Sequence, residues 1–137
     1  MCGHLRTSKM KPGAGFSFIT PVGVIKGTWG FNKGEQYNAR SERLDSIWKR
    51  YKKGILPISS FWEGGMEFKR SKDHVFSLGI IYNPQNEFAI VTCPANTLVE
   101  PYHHRMPVML ADQSLSIWYE QGIITPMNNQ ELLKAIN

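Results

Sequence analysis

Cysteine is scarce in this 137-residue chain, which carries only Cys2 and Cys93. The two could in principle pair, but free thiols are the expectation for a cytosolic chain of this size. No C-x-x-C pair and no H-x-x-x-H spacing occurs, so Cys2, His4, His74, Cys93, His103 and His104 carry no metal-site signature. No metal and no cofactor are expected. No apolar run approaches the length of about eighteen residues that a membrane-spanning helix needs. The opening stretch MCGHLRTSKMKPGAGF has basic residues but no apolar region behind them, unlike a secretory signal. A cytoplasmic protein with no membrane partner is the expectation. Internal repeats, low-complexity tracts and linkers rich in Pro, Gly or Ser are also missing, which predicts one domain over residues 1–137.

The composition that remains is that of a globular protein, 42% hydrophobic and 20% charged. Sixteen Lys and Arg against eleven Asp and Glu leave a formal net charge of +5. An excess of this sign favours an anionic partner, nucleic acid first among them, or serves only solubility.

Strand patterns dominate. FSFIT and VGVI read as short strands broken at Pro21, followed downstream by GILPISSFWEG, MEFKRS, HVFSLGIIY, EFAIVTC and MPVML. NPQNE between two of these is turn chemistry and predicts a hairpin. In SERLDSIWKRYKKG, Leu44, Ile47, Trp48 and Tyr51 recur at i, i+3, i+4 and i+7, with Ser41 as N-cap and Gly54 as stop. That spacing predicts an amphipathic helix. Its basic face of Lys49, Arg50, Lys52 and Lys53 reads either as a solvated surface or as phosphate contact. SLSIWYEQG and NQELLKAI read as short helices. Strands joined by short turns, with helices inserted rather than alternating, predict an α+β fold with a largely antiparallel, barrel-like sheet.

Several short stretches hold chemistry-bearing residues. Removal of Met1 would leave Cys2 with an amine and a thiol on adjacent carbons. An α-amino group titrates near pH 8, about two units below lysine, so part of it is a neutral nucleophile near pH 7. Such an amine condenses with an aldehyde to a Schiff base, and the neighbouring thiol closes a thiazolidine ring. In YNARSE, Asn38 and Arg40 share one side of an extended backbone, suited to a polar ligand and a phosphate or simply to a turn. Glu63 in SSFWEGG stands between aromatics and glycines, where burial would raise its pKa towards that of a general acid; an exposed turn carboxylate is the alternative. EPYHHRMPVML sets His103, His104 and Arg105 ahead of a strand, and histidine suits proton transfer near neutral pH. Cys93, ending an apolar run, reads as a small buried hydrophobe.

Taken in order, MCG, NARSE, FWEG, AN-x-L-V-x-P and H-x-RMPV resemble the motifs of the SRAP family, the SOS response-associated peptidases. The resemblance implies a bacterial or phage-like DNA-damage protein, nucleoid-associated when bound, that meets single-stranded DNA containing abasic sites. It implies a covalent thiazolidine crosslink between Cys2 and the ring-opened sugar, after a Met1 removal thought to be self-catalysed, with lyase activity also in prospect. By the same resemblance Asn38 orients the terminus and the sugar, Glu63 handles protons, and His103 assists ring opening. Arg40 and Arg105 match arginines that contact phosphates, and Trp29 of GTWGF matches a tryptophan near the DNA. A monomer is expected. His4 replaces an arginine and His104 an acidic residue of the family pattern. The other readings are a non-covalent single-stranded DNA-binding module and a cysteine-dependent hydrolase pairing Cys2 or Cys93 with His103.

Overall fold

Phe16, Phe18 and Thr20 point inward from strand β2 (Gly15–Thr20) while Gly15, Ser17 and Ile19 stay exposed, the period-two pattern of a half-buried strand. A computed structural model describes residues 11–135 of the chain, together with the backbone of residues 4–6. Among these, eleven strands form two sheets.

The larger sheet begins as a hairpin. β2 turns at Pro21-Val22 into β3 (Gly23–Trp29), and the Thr20 hydroxyl donates to the Gly23 carbonyl at 2.9 Å across the turn. β2 also pairs with β5 (Lys52–Ile58), which runs antiparallel to β8 (Phe76–Tyr82) over its whole length. A tight turn then leads into β9 (Glu87–Pro94). The side-chain oxygen of Asn83 accepts from the N–H groups of Gln85 and Glu87 at 3.1 and 2.9 Å, which shapes that turn. β9 finally pairs in parallel with β3, through Thr28 with Glu87 and Trp29 with Phe88. The ladder β9–β3–β2–β5–β8–β9 is therefore a closed ring with a single parallel seam. Closure satisfies edges that an open sheet would leave bare.

Where β3 leaves β9, β4 (Asn38–Arg40) takes over in parallel, and β10 (Arg105–Pro107) joins the opposite side antiparallel. The smaller sheet has the order β1 (His4–Arg6), β6 (Ser60–Glu63), β7 (Met66–Arg70), β11 (Leu132–Lys134). Its central hairpin turns on Gly64 and Gly65, both at positive φ (56° and 82°), as a two-residue turn matched to strand twist demands. Phe61 and Phe68 stack at 5.4 Å and carry this sheet into the core with Phe76. The helix Leu115–Gln121 seals another side, its Trp118 fully buried and donating its indole N–H to the Gly54 carbonyl at 2.8 Å.

The hairpins, the α+β class and the Leu115–Gln121 helix follow the sequence patterns, with the largely antiparallel sheet closed as a ring. Two expected helices do not form. After a 3₁₀ turn at Ser41–Arg43, the chain to Tyr51 is a series of turns. Leu44 N–H bonds back to Ser41 and Trp48 N–H to Arg43. Leu44 and Trp48 still reach the core, but Ile47 is 57% exposed. Strand pairing accounts for the difference: Lys52, Lys53 and Gly54 are drawn into β5 opposite Tyr82, Ile81 and Ile80, and tertiary pairing outweighs helical spacing. NQELLKAI likewise forms a 3₁₀ turn and then β11, because the free edge of β7 accepts Leu132–Lys134 as a strand with Leu132 buried.

Arg70 on β7 fastens the smaller sheet to its surroundings. Its buried guanidinium holds Asp112 at 3.1 and 2.9 Å, Glu131 at 3.1 Å and the Val75 carbonyl at 3.0 Å. Replacing Arg70 by Met should lower stability by about 2 kcal/mol in urea unfolding. Arg70→Lys should recover little of it, since an ammonium cannot reproduce the planar fork.

Candidate functional site

The hairpin that carries Glu63 meets the segment that carries His103. Gly64 lies against the Tyr102 carbonyl, and a Cβ there would overlap that oxygen. Only glycine permits both the contact and the turn's positive φ. Glu63, at the end of β6, is 1% exposed. Burial disfavours its charged form and pushes its carboxyl up to about 7, from an ordinary value of 4.5. A group that titrates there can both give and take a proton near neutral pH.

His103 is delivered by a loop whose shape is written in AN-x-L-V-x-P. The Asn96 side chain accepts from the N–H groups of Leu98 and Val99 at 3.1 and 3.0 Å, opening a turn. Val99 is fully buried and anchors it, and its carbonyl accepts from Tyr102 and His103. The loop closes where Ala95 N–H donates to the His104 carbonyl at 3.0 Å. The Arg105 amide N–H, which can only donate, lies 3.0 Å from Nδ1 of His103. The Arg105 carbonyl lies 3.2 Å from the same nitrogen, so Nδ1 accepts from the amide in one neutral tautomer and donates to the carbonyl in the other, which leaves Nε2 as the acceptor. Burial holds the pKa of His103 below the usual histidine value, which keeps the ring neutral near pH 7. The His104 ring stacks on it at 4.4 Å.

Arg105 itself is committed inside the protein. Its side chain is 5% exposed, with a bidentate pair to Glu42 at 2.6 and 2.7 Å and further bonds to the carbonyl and hydroxyl of Thr92 at 2.9 and 3.2 Å. The guanidinium holds the Glu42 carboxyl down at about 2. This corrects the expectation that Arg105 meets phosphate: a guanidinium so engaged acts on its neighbours. Glu42 lies 63 positions from Arg105, and no periodic pattern pairs them. Its place two residues after Arg40 in NARSE was the available signal.

The other expected residues fall as follows. Asn38 begins β4, buried and opposite Ile90. Arg40, two residues on and opposite Thr92, is exposed and offers a cation to solvent. Trp29 is fully buried, its indole N–H bonded to the Tyr37 carbonyl at 2.9 Å and its ring set edge-on against Phe16 at 5.9 Å. It is core, and its ring has no surface left for a base; the indole stitches β3 to the start of β4. Cys93 is half-buried, and burial pushes its thiol up to about 11, so it stays protonated and poorly nucleophilic at neutral pH. Cys2 lies outside the described residues, as does the side chain of His4. The backbone of β1 nevertheless runs beside β6, with His4 opposite Trp62, the residue before Glu63. Among the described residues no three of His, Cys, Asp and Glu gather into a metal-sized group, and no helix is long and apolar enough to cross a membrane.

Comparison with known proteins places this geometry in context. The chain is 30% identical over 119 residues to the abasic site processing protein YoqW of Bacillus subtilis (strain 168), an alignment covering 71% of this chain and 53% of that protein. It therefore spans about half the length of the curated relative it matches. A crystal structure of a Bordetella bronchiseptica protein superposes with a TM-score of 0.77 at 19% identity, covering 96% of this chain and 87% of the other. A Bacteroides thetaiotaomicron protein gives a TM-score of 0.73 at 18% identity, over 88% and 72% of the two chains. These likenesses establish the fold. The family model for SOS response associated peptidases matches residues 26–137, a span that takes in Asn38, Glu63, His103 and both arginines, and the chain belongs to that family, SRAP.

Proposed function

We propose that this protein captures abasic sites in single-stranded DNA by forming a covalent thiazolidine through Cys2 once Met1 is removed. The observation that carries the proposal is the β1–β6 ladder. It sets His4 opposite Trp62, immediately before the desolvated Glu63. Cys2 is two residues from His4, so covalent geometry keeps it within about 7 Å of that strand end.

The chemistry follows from these protonation states. An abasic sugar in its ring-opened form exposes an aldehyde. Neutral His103, in the tautomer whose Nδ1–H faces the Arg105 carbonyl, assists that opening by accepting the proton of the sugar's anomeric hydroxyl at Nε2 and passing it to the ring oxygen as the C–O bond breaks. The Cys2 amine attacks the aldehyde carbon to give a carbinolamine. Glu63 in its acid form gives a proton to the departing hydroxyl, water leaves, and the resulting carboxylate takes the nitrogen's proton, so that a neutral C=N bond remains. The Cys2 thiol then adds to that carbon while the nitrogen takes the thiol's proton, closing the ring with no oxidant or reductant. Asn38 orients the terminus and the sugar, and Arg40 meets a phosphate. The Glu42–Arg105 pair acts at one remove: it fixes β10 and with it the Arg105 backbone groups that face Nδ1 of His103. Self-removal of Met1 draws on the same proton-handling carboxyl. The relative's name supports the substrate class, and the net charge of +5 supports an anionic partner.

Incubation of Met1-processed protein, verified by intact mass, with a uracil-containing oligonucleotide and a uracil glycosylase should give an adduct that survives denaturant. Cys2→Ala should abolish the adduct and Cys93→Ala should retain it. Salt-sensitive binding indifferent to Cys2→Ala, with no adduct, would overturn covalent capture in favour of a binding module. Glu63→Gln should slow adduct formation at least tenfold at pH 7.

Stability should carry the same signature. The folded pKa of Glu63 lies above its unfolded value, so its contribution is fully present below about pH 4.5 and is lost as pH rises through about 7. The loss is on the order of 3 kcal/mol. Urea unfolding across that window should show it in the native protein and not in Glu63→Gln.

A further inference from the structure

At the other end of β9 lies a groove that the chemistry above leaves unused. It has a volume of about 630 Å³, and Arg50, Tyr51, Lys52, Tyr82, Gln85 and Asn86 are among the residues that line it. Glu87 begins β9 beside it, whereas Pro94 at the far end pairs with Arg105. Seven residue steps of strand put about 23 Å between the two ends. The groove is therefore separate from the Glu63–His103 cluster.

We propose that this groove binds a segment of single-stranded nucleic acid as a second contact, with bases on the tyrosines and phosphates on Arg50 and Lys52. The two rings have rigid backing: Tyr82 packs on Phe18 at 4.8 Å and Tyr51 on Phe31 at 5.0 Å. Arg50 and Lys52 are exposed and flank Tyr51 in the chain. Among the described residues, no Asp or Glu lines the groove. The nearby Glu87 carboxylate accepts from the Asn83 amide at 2.9 Å and is spent on the turn. Gln85 and Asn86 present exposed amides at the rim, suited to base edges. Aromatic faces interleaved with cations match the alternation of base and phosphate in an unpaired strand, and such binding is sequence-tolerant. An acidic peptide would satisfy the cations and leave both rings idle. A duplex would keep its bases stacked away from them.

The inference takes its polymer from the proposed function, but undamaged DNA tests it independently of adduct formation. In a ¹⁵N-HSQC titration, undamaged decathymidylate should shift the amides of residues 50–52, 82, 83, 85 and 86. Shifts confined to the Glu63 and His103 region would overturn the groove and leave abasic-site capture standing. Groove shifts in a protein that forms no adduct would support the groove and sink the capture reading. A decaglutamate peptide that shifts the groove while decathymidylate does not would also overturn the inference. In fluorescence anisotropy, Arg50→Ala/Lys52→Ala should weaken decathymidylate binding about tenfold at low salt and reduce the slope of log K against log salt by about 1.4. An unchanged slope would contradict the phosphate contacts.

Discussion

Strand β9 is the constraint from which the candidate site hangs. One side takes β3 and then β4 in parallel; the other takes β8 and then β10 antiparallel. Asn38, Arg40 and Arg105 are thereby set opposite Ile90, Thr92 and Pro94 at one end of the ring. The Arg105–Glu42 pair locks this arrangement across the Thr92 carbonyl, joining segments that would otherwise meet only through the strand between them. Only Arg105 is buried, its partner being half exposed, so removing Glu42 would leave a buried guanidinium with no anion beside it, a larger penalty than the pair's own net worth. The ion pair is therefore better understood as fixing geometry than as adding stability.

That geometry moves two titrating groups toward each other. Burial raises Glu63 and lowers His103, so a carboxyl present in both its acid and its anionic form stands with a neutral imidazole near pH 7. The same physical cause acts with opposite sign because the charged form is the anion in one and the cation in the other. Groups poised in this way suit the loss of water from a carbinolamine, which needs a proton delivered and another accepted. Cys93 shows the contrast: equally governed by burial, its thiol is pushed away from reactivity and serves the core.

Much of this was legible in the chain. The apolar runs FSFIT and VGVI located β2 and β3, and NPQNE marked the β8–β9 hairpin. The helix expected from Leu44, Ile47, Trp48 and Tyr51 was misleading, because periodicity reports which side chains are apolar and not which backbone partner competes for them. β8 competed and won Lys52–Gly54. The same blindness to long-range pairing hid β11 and the Glu42–Arg105 bond. Trp29 matched a tryptophan near the DNA by its motif, yet it is buried and its indole ties Tyr37 to β3. Local sequence carries local structure; contacts across sixty positions have no periodic signature.

The account stands on a carboxyl that desolvation keeps protonated into the neutral range. Its most direct test is a side-chain NMR titration of the Glu63 carboxyl carbon in the folded protein. A midpoint near 7 is the predicted result, and a midpoint at the ordinary 4.5 would contradict it.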